Sequence, residues 1–157
     1  MKIGVYGGTF NPIHLGHLEA ARFAIEYLHL DRLYLIPAGI PPHKQLAGDT
    51  PAPEQRLEMV RLASDAIGPA AQADDLELRR EGRSYTLDTL RLLKNRHPKD
   101  RLYLLMGTDM FLTFHLWRDP QEIVKLCTLC AFGRSEKDSE ELFSVQRAYL
   151  AETLGAD

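Results

Sequence analysis

Five short apolar runs, at 2–6, 32–36, 76–79, 101–106 and 128–132, alternate with stretches whose apolar residues recur at helical spacing. Runs of this length read as strands buried on both faces, which is how parallel sheets present themselves in sequence. Leu18, Ala21, Phe23, Ile25 and Leu28 supply the first helical stretch, and Leu57, Val60, Leu62, Ala63 and Ile67 the second. Pro53 stands just ahead of the second, a residue suited to a first-turn position. Leu87, Leu90 and Leu93 form a third stripe, ended by His97-Pro98, and 142–154 reads as a last helix with Gly155 as its C-cap. The alternation predicts an α/β fold, a doubly wound parallel sheet flanked by helices, with ligands at the carboxyl ends of the strands. At 157 residues the chain is expected to form a single domain with a proper core.

Composition narrows the function classes. A net charge of −3 and the absence of a basic tract give no reason to expect nucleic acid as a partner. No apolar run reaches membrane-spanning length, and the chain opens on a strand rather than a signal peptide, so a cytoplasmic protein without a membrane partner is expected. Two cysteines make no disulfide framework. Cys127 and Cys130 lie three apart on a strand, face opposite ways, and read as buried, inert thiols rather than half of a zinc site.

The chemistry concentrates at the end of the first run, in Gly7-Gly8-Thr9-Phe10-Asn11-Pro12-Ile13-His14-Leu15-Gly16-His17. Glycines allow main-chain N–H groups to approach a phosphate, where a Cβ would collide. A helix starting near Gly16 would add its unpaired N–H groups and positive dipole end. His14 and His17, at i and i+3, share a helical face. A capping or packing role is the ordinary use of one histidine, but a pair beside a glycine turn favours phosphate chemistry. Zinc is the competing reading, with no further ligands at suitable spacing. The turn is neither G-x-G-x-x-G nor G-x-x-x-x-G-K-[ST], so dinucleotide-fold and P-loop fingerprints are missing.

Between Pro37 and Pro53 lies a proline-rich connection too long to be idle in a compact domain. His43 and Lys44 are its cationic groups, and it leaves the carboxyl end of the second predicted strand. From this segment alone, a substrate-facing loop and a solvated surface loop are about equally supported. The charged run at 136–141 reads as the solvated first turn of the last helix.

These residues carry a resemblance. Gly7 to Leu18 is similar to the nucleotidyltransferase α/β-phosphodiesterase superfamily, marked by [HT]-x-G-H. Ile36-Pro37-Ala38-Gly39-Ile40-Pro41-Pro42-His43-Lys44, Ser84-Tyr85-Thr86-Leu87-Asp88-Thr89-Leu90, Met106-Gly107-Thr108-Asp109 and then Trp117 resemble, in the same order, the bacterial nicotinate-nucleotide adenylyltransferase family. The resemblance covers essentially the whole chain. It implies a Rossmann-like sheet and a transferase of NAD biosynthesis. ATP and nicotinate mononucleotide would be its substrates, deamido-NAD and pyrophosphate its products, and Mg²⁺ would travel on ATP rather than in a protein metal site.

By the same resemblance His14 and His17 would be the catalytic donors to the ATP phosphates. Gly7, Gly8, Thr9, Phe10, Gly107, Asp109 and, with less weight, Arg134 would line the ATP side. Ser84, Tyr85, Thr86 and Trp117 would hold nicotinate mononucleotide, the main chain near Thr86 taking the carboxylate and Trp117 stacking on the pyridine ring. His43 and Lys44 would approach its phosphate. From the residues alone, Asp109 could equally cap the following helix, and Trp117 could be ordinary packing.

The sequence departs from the family pattern in three places. Asn11 stands where the family often has Asp, and residue 118 is Arg. The second phosphate motif, Ser-Ser/Thr-x-x-Arg after one more strand, is missing. The expectation is therefore a C-terminally truncated nucleotidyltransferase domain, 1–157, lacking its last strand and helix and impaired in adenylyl transfer. Two alternatives remain: a nucleotide-binding module with little catalysis, and a related adenylyltransferase acting on phosphopantetheine. The sequence leaves homo-oligomer formation and the choice between acid and amide mononucleotide open.

Overall fold

The computed structural model describes residues 1–8, 10, 13–39, 51–80, 82, 85–133 and 140–155. The elements run β1 Lys2–Gly8, α1 Leu15–Leu28, β2 Arg32–Pro37, α2 Pro53–Ile67, β3 Ala71–Ala73, α3 Thr86–Arg96, β4 Arg101–Gly107, α4 Thr108–Leu112, α5 Pro120–Leu126, β5 Cys127–Phe132 and α6 Glu140–Leu154. A 3₁₀ turn, Phe114–Leu116, separates α4 from α5.

All strand pairs are parallel, in the order β3-β2-β1-β4-β5. The chain winds outward from β1 to β3, crosses back to β4 and winds outward again to β5. The order therefore reverses between β1 and β4, and a parallel sheet opens a ligand crevice at such a point, beyond the carboxyl ends of its strands. Register aligns those ends: Gly8 pairs with Pro37, and Gly107 with Phe132.

The alternation of side chains along each strand divides the core into two layers. Leu33 and Leu35 of β2 join Ala21 and Ala24 of α1 and Val60 of α2. Tyr34 and Ile36 of the same strand join Leu87, Leu90 and Leu93 of α3, Ile123 of α5 and Leu150 of α6. Leu90 and Leu93 are 0% exposed, and burying a leucine completely contributes about 1.5–3 kcal/mol. The stripe read from the sequence is thus what fastens α3 to the sheet. Pro53 is the first residue of α2, and Gly155 ends α6 at φ 69 with its N–H bonded to the Ala151 carbonyl.

One strand falls elsewhere than the apolar runs suggest. The expected strand at 76–79 is a turn, and the edge strand is Ala71–Ala73. Asp74 Oδ1 accepts the Leu76 N–H at 2.9 Å, and the Asp75 carbonyl accepts from Leu78 and Arg79. Consecutive aspartates satisfy the following main chain locally and bend it away from the sheet. Leu76 and Glu77 are both buried, as neighbours in a turn can be and neighbours on a one-sided strand cannot.

Candidate active site

β1 delivers Gly7 and Gly8 to the carboxyl edge while they are still paired with β2. A Cβ on either would meet no protein atom closer than 3.7 Å. Beyond the two glycines, Phe10 takes up a left-handed backbone, at φ 47. That conformation costs a non-glycine residue of order 1 kcal/mol. Burial offsets the cost: Phe10 is enclosed, its ring edge-on to Tyr6 at 5.6 Å and to His17 at 5.1 Å.

The histidines build the start of α1. His14 is the N-cap, and its Nδ1 accepts the Gly16 N–H at 3.1 Å; His17 Nδ1 accepts the His14 N–H at 3.0 Å. This is a capping box made by two imidazoles, whose rings lie 3.9 Å apart at 31°. It also fixes the tautomer. A nitrogen that accepts a main-chain N–H carries no proton, so each neutral ring bears its proton on Nε2 and donates from there. Gly16 leaves the His14 ring room in this position, since a Cβ there would sit 3.0 Å from His14 Cε1 and 3.1 Å from its Nδ1 and press the ring aside by a few tenths of an ångström. The sequence suggested main-chain donors at this helix start; the structure uses two of them on the histidines.

At the adjoining strand end, Gly107 is the N-cap of α4, and Asp109 is exposed in its first turn with no side-chain cap bond. The capping alternative for Asp109 is thereby set aside. Thr108 Oγ1 donates to the Phe132 carbonyl at 3.1 Å and ties the end of β4 to the end of β5.

A crossover helix runs back against its strands, so α3 also begins at the carboxyl edge. Tyr85 is its N-cap, without a side-chain cap bond, and Thr86 is its first residue. Trp117 follows the 3₁₀ turn, half-buried against the core, its ring 5.1 Å from Phe114 at 52°. The two segments meet through the next residue: the Arg118 guanidinium stands 4.6 Å from the centroid of the Tyr85 ring. The Arg118 side chain thus links the segment that carries Trp117 to the start of α3.

Thr9, His43, Lys44, Ser84 and Arg134, and all but the last residues of the charged run at 136–141, lie outside the described residues. Other residues emerge that the sequence did not single out. Arg56, 1% exposed, donates from Nη1 to the Ala38 carbonyl at 2.7 Å and from Nε to the Pro51 carbonyl at 3.3 Å. It bridges the two ends of the proline-rich connection, and burial presses its pKa downward while Glu54 opposes that. Glu77, Arg80 and Thr89 form a second network, in which Glu77 and Thr89 are buried and Arg80 is half-buried. Thr89 lies in the Ser84–Leu90 motif without having been given a role there, whereas Arg56, Glu77 and Arg80 show no periodicity or motif from which sequence could assign them.

Cys127 packs toward one core layer and Cys130 toward the other, as their spacing predicts, although both are half-buried rather than buried. Burial pushes their thiols up to about 12 and about 11, which keeps them protonated and unreactive at neutral pH. Among the described residues no group of three or more His, Cys, Asp or Glu is placed to hold a metal ion, and no helix is long and apolar enough to cross a membrane.

A sequence model of the cytidylyltransferase-like family matches residues 5–154. A protein of Pelobacter propionicus, named as a probable nicotinate-nucleotide adenylyltransferase, is 46% identical over 134 residues, covering 85% of this chain and 61% of that protein. A protein of the same name from Dictyoglomus thermophilum is 43% identical over 138 residues, 88% of this chain and 69% of the relative. The chain thus spans about three fifths of the length of the first of these relatives, 61%. Among solved structures, the nicotinic acid mononucleotide adenylyltransferase of Plasmodium falciparum complexed with NaAD superposes with a TM-score of 0.76 at 20% identity. That match covers 91% of this chain and 70% of the other, and shows a shared fold.

Proposed function

The chain belongs to the cytidylyltransferase-like family, and from that membership we propose that it transfers the adenylyl group of ATP to nicotinate mononucleotide, forming deamido-NAD and pyrophosphate. The observation that carries this reading is the imidazole pair at the end of the central strand. Both Nδ1 atoms are committed to the main chain, so the outward chemistry of both rings is N–H donation from Nε2.

Two such donors suit a phosphate chain. In the proposed reaction an oxygen of the mononucleotide phosphate attacks the α-phosphorus of ATP, and the bond to the bridging oxygen of the β-phosphate breaks. Pyrophosphate leaves with that electron pair. The attacking phosphate is already ionised, so no general base is required, and catalysis reduces to alignment and charge stabilisation. His14 and His17 donate to oxygens whose charge grows in the transition state, from positions fixed before substrate arrives. Gly7, Gly8 and Phe10 line the same approach, with Thr9 and Arg134 assigned to it by the resemblance. Asp109, exposed beside the crevice, is assigned to the ribose hydroxyls.

On the acceptor side the uncapped first turn of α3 offers the Thr86 N–H to the nicotinate carboxylate, which a helix N-terminus favours. Trp117 supplies the stacking face, while Ser84, Tyr85, His43 and Lys44 complete the assignment. Mg²⁺ would enter this site as a companion of the ATP phosphates, where it would neutralise charge. The histidines suit it as neighbours rather than ligands, because their accepting nitrogens are already engaged. The reaction is assigned to the cytoplasm.

The test is pyrophosphate release by the chain with ATP and each acceptor in turn. Release with nicotinate mononucleotide and not with phosphopantetheine supports the proposal. ATP binding without release under either condition would replace it with a nucleotide-binding module.

A further inference from the structure

The Thr89 hydroxyl, one turn into α3, does not make the bond a helical threonine usually makes. It lies 3.4 Å from the Tyr85 carbonyl but 2.7 Å from Glu77 Oε2, and it accepts from Arg80 Nη2 at 2.6 Å. A hydroxyl has one proton, and a carboxylate at the shorter distance takes it. Glu77 and Thr89 are 7% and 2% exposed, so water does not compete. The Tyr85 carbonyl is left to the Thr89 N–H at 3.3 Å.

Three side chains from two segments thus close on one oxygen atom. Glu77 and Arg80 come from the turn begun by Asp74 and Asp75, and Thr89 from the first turns of α3. The two charges nearly cancel at a distance, so the network adds little field to the helix terminus. What it adds is position, since moving α3 along its axis would break two short, charge-assisted bonds at once, one buried and one part-buried. From the other side, Arg118 covers the ring of Tyr85, the residue next to Thr86.

We propose that Glu77, Arg80 and Thr89 are positioning residues for the acceptor: they set where the first turn of α3 presents the Thr86 N–H, and through it the preference for a carboxylate over a carboxamide on the pyridine ring. The inference rests on the reading of nicotinate mononucleotide as acceptor. A carboxylate offers only acceptors to a helix terminus, whereas a carboxamide turned the wrong way offers N–H against N–H. The discrimination is therefore one of placement, and buried polar groups left unmatched are what make such discrimination steep.

Calorimetric titration of the full chain with nicotinate mononucleotide, nicotinamide mononucleotide and ATP tests this. The unaltered chain binds the acid more tightly than the amide. Thr89→Val, which keeps the shape and removes the hydroxyl, weakens the acid by at least about tenfold, with the amide and ATP changed by less than about twofold. Thr89→Ser restores the acid preference. Arg80→Lys, which keeps the charge and loses the guanidinium fork, shifts the preference in the same direction and serves should the valine variant fail to fold. An unchanged acid-to-amide ratio in Thr89→Val, or loss of ATP binding in equal proportion, overturns the positioning role and leaves the acceptor assignment standing. Failure of the unaltered chain to bind either mononucleotide overturns that assignment, and this inference with it.

Discussion

His17 Nδ1 accepts the main-chain N–H of His14 at 3.0 Å, so the residue that caps α1 is held in place by the second histidine of the pair. One side chain thereby joins this structural role to the donor role proposed for it, and the two losses can be measured separately. In the proposed reaction His17→Ala removes a donor to the developing charge, and kcat is expected to fall by about 10²–10³. It also removes half of a capping box, a loss of about 0.5–2 kcal/mol in stability. Steady-state kinetics beside thermal melting separates the two. A melting point that falls while kcat holds would make His17 structural only.

Gly16→Ala reverses that pattern. Alanine is the better helix residue by about 0.8–1.0 kcal/mol, so the substitution favours α1. Its Cβ, however, would stand 3.0 Å from His14 Cε1, tighter than ordinary van der Waals contact. The imidazole must move by a few tenths of an ångström, and its Nε2–H moves with it. The expected result is a melting point unchanged or raised together with a clear fall in kcat. Full turnover in Gly16→Ala would mean that the placement of His14 is not critical.

The comparison of these two residues shows what periodicity can and cannot reach. The helix start was readable because His14, Gly16 and His17 lie within four positions, and local geometry follows local sequence. The same holds for Pro53 opening α2 and for the stripe Leu87, Leu90 and Leu93. β3 escaped because its three residues carry no apolar run and owe their place to pairing with Leu33, Tyr34 and Leu35. The apolar residues at 76–79 were diverted by two aspartates that bond the main chain around them. Arg56 escaped for a related reason: a buried arginine reads as a solvated one until the fold brings the Ala38 and Pro51 carbonyls to it. The left-handed backbone of Phe10 was not foreseen, because the burial that compensates its strain comes from Tyr6 and His17, which only the fold brings around it.

Trp117→Ala tests the acceptor side. Stacking of a heteroaromatic ring on tryptophan is worth about 1–3 kcal/mol, so KM for nicotinate mononucleotide rises by roughly 5–150-fold. Trp117 also leans on Phe114 and the core, so a lower melting point accompanies the change. The value for ATP is the control, because the proposed phosphate side rests on β1 and α1. Trp117→Phe, which keeps a smaller stacking face, recovers part of the loss. An acceptor KM that does not move in Trp117→Ala would confine the residue to packing.

A final prediction concerns the opposite edge of the sheet, where the chain's first amino group donates to Asp100 Oδ1 at 2.7 Å and His97 Nδ1 lies 3.2 Å from Oδ2. The bond from the amino group, and with less weight the charges of that group and of His97, hold the Asp100 carboxyl below the usual carboxylate range. A carboxyl whose pKa is lower in the folded state favours folding wherever it is ionised in both states, and that contribution disappears as pH falls through the folded value. The window therefore lies below about pH 4, the ordinary value for an aspartate. Asp100→Asn lowers the melting point at neutral pH, and the difference from the unaltered chain shrinks as pH drops through that window. His97 in turn bonds the Tyr34 hydroxyl at 3.0 Å, so the cluster joins β2, α3 and β4 at their far ends. Because this edge faces away from the crevice, kcat and both KM values stay unchanged near neutral pH. Parallel melting curves for the two proteins from pH 7 to pH 2 would show that the Asp100 contact contributes nothing through its ionisation.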